Sequence, residues 1–146
     1  MNPERRLTTS VVVVTKDRPQ TLAGLLESLT RQSLSPDEVV VVDNNSRASY
    51  AEVFREYRNR LRLKTVVEPT AGIAAARNRG VRESSGEIIL FTDDDCVVDP
   101  DWVRNLVEPF YRDPHIGAVG GEIAWLNSAS TWIAEHYRAD REALRP

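Results

Sequence analysis

The feature that most restricts how this chain can fold is a set of apolar runs that do not alternate. They are "SVVVVT" (10–15), "EVVVVD" (38–43), "LKTVVE" (63–68) and "EIILFT" (87–92), all rich in β-branched residues. A strand with one wet face alternates apolar and polar residues, whereas a strand covered on both faces reads as a nearly continuous apolar run. Four such runs therefore call for a parallel sheet with helices on both sides. "IGAVGGEI" (116–123) is a weaker fifth strand candidate.

Helical patterns separate the runs. Leu22, Leu25, Leu26 and Leu29 fall at i, i+3, i+4 and i+7, one apolar stripe. Val53, Phe54, Tyr57 and Leu61 form a second, and Trp102, Val103, Leu106, Val107 and Phe110 a further one. "AGIAAARNRGVRE" is helix-forming through its alanines. Asp99 is expected as the N-cap of the last of these helices, with Pro100 at its first position and Asp101 in its first turn. Strand–helix alternation implies right-handed crossovers. The expected fold is α/β, a Rossmann-like, doubly wound and mostly parallel sheet flanked by helices, with strand order 3-2-1-4. The stretch 87–92 is expected to be a buried central strand. Trp132, Ile133, His136 and Tyr137 suggest a further helix in the tail.

The chain's 146 residues can bury a real core, and its 41% apolar and 28% charged residues exclude a disordered chain. A net charge of -3 gives no footprint for nucleic acid. The single cysteine, Cys96, excludes an internal disulfide and a cysteine zinc cage. No segment has the length of a membrane span or the layout of a signal peptide. The expected setting is the cytoplasm, with peripheral attachment at the inner face of a membrane compatible with it.

In open parallel sheets, ligands bind beyond the carboxyl ends of the strands. Here those ends deliver Thr15-Lys16-Asp17-Arg18, Asp43-Asn44-Asn45-Ser46, Glu68-Pro69-Thr70 and Asp93-Asp94-Asp95. Three adjacent carboxylates repel, at roughly 3 kcal/mol for a pair about 5 Å apart in an effective dielectric of about 20. A hard cation, Mg2+ or Mn2+, would relieve that, since such ions take one or two carboxylates and complete their shell with water and substrate phosphates. Aspartates are also common in turns. That reading serves for Asp99 and Asp101 and competes for Asp43, whereas three in a row exceed what one turn needs. Lys16 and Arg18 are either phosphate contacts or a solvated loop. Of Arg77 and Arg79, one is expected to face solvent and the other to reach the site. His115 reads as a loop residue, and His136 as a packed or surface histidine before a metal ligand. No dinucleotide fingerprint, phosphate-loop signature or nucleophile elbow occurs.

The stretches "SVVVVTKDRPQTLAGLLESLTRQSLSPDEVVVVDNNS", "GIAAARNRGVRESSGEIILFTDDD" and "DPDWV", in this order, resemble the family 2 glycosyltransferases of the GT-A fold. The resemblance implies transfer of a sugar from a nucleotide diphosphate sugar, a UDP-sugar by default, to an acceptor hydroxyl with inversion. The acceptor would be a glycan, a lipid or a small molecule. Thr15, Lys16, Asp17 and Arg18 would border the nucleotide, and Asp43 would read the base. Gly72, Arg77 and Asn78 would line the nucleotide-sugar side. Asp93 and Asp95 match the Asp-x-Asp motif, with Asp95 the usual metal ligand and Asp93 near ribose or sugar as well as metal. Asp94 takes the variable middle place on the nucleotide-sugar side. The family's general base and acceptor site usually follow the fifth strand, where Glu135, Asp140 and Glu142 match no family motif. The expected organisation is an extension (1–9), a nucleotide-sugar-binding domain (10–124) and a helical tail (125–146), with the acceptor half and base beyond residue 146. The alternatives are a non-catalytic nucleotide-sugar-binding fragment and a nucleotidyltransferase. The absence of glycine from "TKDRPQ" counts against the last.

Overall fold

In a computed structural model, which describes residues 6–123, the four apolar runs become four parallel strands. The elements follow as β1 (Thr9–Thr15), α1 (Pro19–Leu29), β2 (Glu38–Asp43), α2 (Ala51–Tyr57), β3 (Leu63–Val67), α3 (Ile73–Glu83), β4 (Ile88–Asp93) and α4 (Trp102–Arg112). The strand order is β3-β2-β1-β4, as the alternation predicts. β1 lies between β2 and β4, with Val12 opposite Val40 on one side and Phe91 on the other.

Period-two side-chain direction splits each valine run between two cores. Val11, Val13, Val39 and Val41 face α1, α2 and α4, where all four leucines of the α1 stripe are fully buried. Burying such a side chain contributes about 2 kcal/mol. Val12, Val40 and Val42 face the other way, onto Ala76 of α3. Gly80 of α3 lies so close to β1 that a Cβ there would overlap Val12 Cγ1.

The structure departs from expectation in three places. β4 is an edge strand among the described residues, because only β1 pairs with it; Phe91 on the α3 side is 47% exposed. Residues 116–123 form no strand. Three of those eight residues are glycine, which weakens a strand, and Ile123 is 71% exposed. Finally, α4 starts at Trp102 with Asp101 as its N-cap. The Pro100 carbonyl is taken by the Ser33 N–H at 2.8 Å instead of joining the helix ladder. Asp99 caps the preceding turn, its carboxylate accepting the Asp101 N–H at 2.9 Å. The helical tail expected over 125–146 lies outside the described residues.

Gly80→Ala is predicted to lower stability by about 1–3 kcal/mol. Overpacking against a stiff valine outweighs the roughly 1 kcal/mol that alanine gains in a helix. Thermal unfolding followed by circular dichroism checks this; an unchanged or raised Tm would contradict it.

Candidate functional site

All four strands point their carboxyl ends to one edge, and the loops there are tied together by buried polar groups. Thr15 ends β1 and is 1% exposed. Its hydroxyl donates to Asp94 Oδ2 at 2.7 Å and lies 3.0 Å from the Tyr50 hydroxyl. The buried Tyr50 hydroxyl also accepts the Arg18 N–H at 3.0 Å and sits 3.3 Å from Ser46 Oγ. Asp17 adopts φ 55°, a left-handed conformation that aspartate tolerates better than most residues. Its carboxylate accepts the backbone N–H groups of Arg47 at 2.6 Å and Ala48 at 2.9 Å. The loops after β1 and β2 thus hold each other.

The ends of β2 and β3 are joined in the same way. Asp43 is half-buried, and its Oδ1 accepts the Ser46 N–H at 2.9 Å. Asn44, 5% exposed, uses its whole amide: it donates to the carbonyls of Glu68 and Thr70 and accepts the Gly72 N–H at 3.0 Å. Glu68 accepts the Thr70 N–H at 2.8 Å. Gly72 leads into α3 at φ 128°, a conformation open in practice to glycine alone.

These bonds set two acidities. Backbone donation from Ala48, then from Arg47, holds the Asp17 carboxyl below its ordinary value. Donation from the Thr70 backbone, then from its hydroxyl, does the same for Glu68.

The three aspartates at the end of β4 differ in burial and in partners. Asp93, the last strand residue, is exposed and pairs with Arg77 Nη2 of α3 at 3.0 Å. Asp94 is 5% exposed and turned inward to Thr15. Asp95 is exposed and meets Arg18 Nη1 at 3.3 Å, the same nitrogen lying 3.4 Å from Asp94 Oδ1. Thr15, Arg18, Asp94 and Asp95 therefore form one connected group, and the Arg77–Asp93 pair is a second one, next to it at the end of β4. Asp17, Asp43 and Gly72 shape the site's loops, while Lys16 and Asn78 are exposed. Arg77 reaches the site, whereas Arg79 lies 2.9 Å from Glu83 one turn along its own helix. His115 lies in a loop, its N–H donating to Asp113. His136, Glu135, Asp140 and Glu142 fall outside the described residues.

Sequence reasoning passed over Tyr50 and gave Asn44 no role. Tyr50 follows a loop with no motif, and its partners are 4 to 35 residues away in sequence. Asn44 did stand at a strand end, the one signal available for it.

The donor set suits a hard divalent cation in one respect. Asp93 and Asp95, two residues apart at the end of β4, both keep their carboxylates exposed. No group of three histidine, cysteine, aspartate or glutamate side chains gathers among the described residues. Such a cation would thus be held by one or two carboxylates, with substrate phosphates completing its shell.

A 3-2-1-4 parallel sheet with acids gathered beyond its carboxyl edge is the GT-A type of glycosyltransferase fold. The sequence profile described as Glycosyl transferase family 2 matches residues 10–138, and the chain belongs to that family. The glucosyl-dolichyl phosphate glucuronosyltransferase of Haloferax volcanii is 26% identical over 136 residues, covering 88% of this chain and 42% of its own. The mannosyltransferase PcManGT of Pyrobaculum calidifontis, solved with GDP-Man and Mn2+, is 30% identical with a TM-score of 0.69. That match covers 79% of this chain and 35% of the other. S. aureus TarS 1-349, solved with UDP, is 27% identical with a TM-score of 0.68, covering 82% of this chain and 38% of its own. The chain spans less than half the length of each of these proteins. No helix among the described residues is long and apolar enough to cross a membrane.

Two predictions follow from this geometry. Thr15→Val leaves the buried Asp94 carboxylate without its strongest donor and should cost about 1–3 kcal/mol in urea unfolding; no loss would mean that water replaces the hydroxyl. The second concerns pH. Asp17 and Glu68 have folded-state pKa values below their ordinary 3.8 and 4.5, so their stabilisation is complete above those values and fades as pH falls through the folded ones. Stability should drop on acidification below roughly pH 4, and Asp17→Asn should make that drop shallower in unfolding curves measured across this range.

Proposed function

We propose that residues 10–124 are the donor-binding unit of a metal-assisted, inverting glycosyltransferase that uses a nucleotide diphosphate sugar, with UDP as the favoured nucleotide. One observation carries the reading: Asp93 and Asp95 stand beside Arg18 and Arg77 at the carboxyl edge of the sheet, within the stretch that matches the family. Support for the ligand class comes from fold neighbours solved with UDP, with UDP-GlcNAc, and with GDP-Man and Mn2+.

In this reading the nucleotide lies across the loops after β1 and β2. Asp43 accepts a hydrogen bond from a ring N–H of the base, its other oxygen remaining with Ser46. The Lys16–Arg18 loop borders the nucleotide, and Gly72, Arg77 and Asn78 line the sugar side. Asp95, with Asp93, would hold Mg2+ or Mn2+, which supplies charge neutralisation for the departing diphosphate. The acceptor hydroxyl attacks the anomeric carbon from the face opposite the diphosphate, giving inversion. Its proton goes to a general base that is none of these donor-site residues. The acceptor is a glycan, a lipid or a small molecule, and peripheral attachment to the inner face of a membrane is compatible with this reading.

Calorimetry with UDP and Mn2+ tests the site. Asp95→Ala is expected to weaken Mn2+-dependent UDP binding by tenfold or more, about 1.4 kcal/mol; unchanged binding would remove Asp95 from the site. Donor hydrolysis measured in parallel distinguishes an active enzyme from a fragment that only binds.

A further inference from the structure

The two arginines at the aspartate cluster are weakly placed for permanent salt bridges. Arg18 serves both Asp94 and Asp95 with one nitrogen, Nη1, at 3.4 and 3.3 Å. Arg77 serves Asp93 with Nη2 alone, at 3.0 Å. Neither uses the bidentate fork that makes arginine–carboxylate pairs strong and specific. Both side chains are about half exposed, as are Asp93 and Asp95. Their backbones, by contrast, are fixed. The Arg18 N–H is held by the buried Tyr50 hydroxyl and its carbonyl accepts the Leu22 N–H of α1, while Arg77 sits mid-helix in α3. Each guanidinium can therefore swing on a fixed root.

We propose that Arg18 and Arg77 are exchangeable counter-ions for the aspartate cluster, and that cation and nucleotide diphosphate bind to this site as one exchange. This rests on the donor site proposed above. Without ligand, the guanidiniums neutralise Asp93 and Asp95. A divalent cation approaching those oxygens alone meets two positive charges already in contact with them. When a diphosphate arrives with the cation, the cation takes the carboxylates and each guanidinium turns to the phosphate oxygens, which accept its unused donors bidentately. Two arginines on separate elements, the β1 loop and α3, then hold the diphosphate from two sides. The cation binds weakly by itself and tightly with the nucleotide, and the arginines are the source of that coupling.

The test is Mn2+ binding by electron paramagnetic resonance, with and without UDP, on the wild-type chain and on Arg18→Gln, Arg77→Gln and the double variant. The proposal expects opposite signs. Without UDP, each single variant binds Mn2+ more tightly, by roughly 3- to 5-fold given the strength of exposed pairs. With Mn2+ present, each binds UDP more weakly. The factor by which UDP tightens Mn2+ binding thus shrinks, most in the double variant, and Arg18→Lys restores part of it. Variants that lose Mn2+ affinity both with and without UDP would show a structural role and overturn the proposal, as would an unchanged coupling factor. A wild-type chain that binds no UDP in the presence of Mn2+ would overturn the donor-site reading itself, and this proposal with it.

Discussion

The parallel pairing of β1 with β2 on one side and β4 on the other governs the rest of the structure. Because all three strands run the same way, Thr15, Asp43 and Asp93 finish at one level, with Thr15 opposite Asp43 and Val14 opposite Asp93. Residues nearly 80 positions apart in the chain are thereby brought to hydrogen-bond distance, and Thr15 closes the arrangement by donating to Asp94. Every loop at the site is then one short connection away from this fixed line. Asp17 catches the loop after β2, and Asn44 catches the one after β3. The loops of the edge are tied to one another by the buried Thr15, Tyr50 and Asn44 and by the exposed Asp17.

The apolar patterns made the strand order and the two-sided burial legible, because a parallel sheet leaves little choice of side chain inside it. The α1 leucines and the α4 stripe could be read for the same reason: their spacing is repeated and their burial follows from it. Boundaries were less legible. The start of α4 turned on whether the Pro100 carbonyl bonded within the helix or to Ser33, and Ser33 is 67 residues earlier in the chain. The fifth strand failed because apolar content alone does not supply a pairing partner, and glycines lower the cost of leaving the ladder. At the site, the ionised residues stood out from their position at strand ends. Tyr50 did not, since a tyrosine hydroxyl earns its role only from what surrounds it after folding.

The cost of three adjacent aspartates is met by divergence. One carboxylate alone is taken inside, where the Thr15 hydroxyl donates to one oxygen and Arg18 Nη1 lies 3.4 Å from the other, while its two neighbours stay exposed and pair with different arginines. The repulsion that remains lies between exposed groups in a high-dielectric setting, where guanidiniums from two other elements offset it. This division assigns opposite requirements to neighbouring residues. Asp94 is buried and takes the Thr15 hydroxyl as its shorter partner, with Arg18 at 3.4 Å, while Asp93 and Asp95 stay open to water and to exposed arginines. A sequence with two aspartates around an apolar residue would keep the exposed pair but lose the inward anchor, and with it the bond that ties the β4 turn to the end of β1. The central acid thus fixes the turn on which the outer two are displayed.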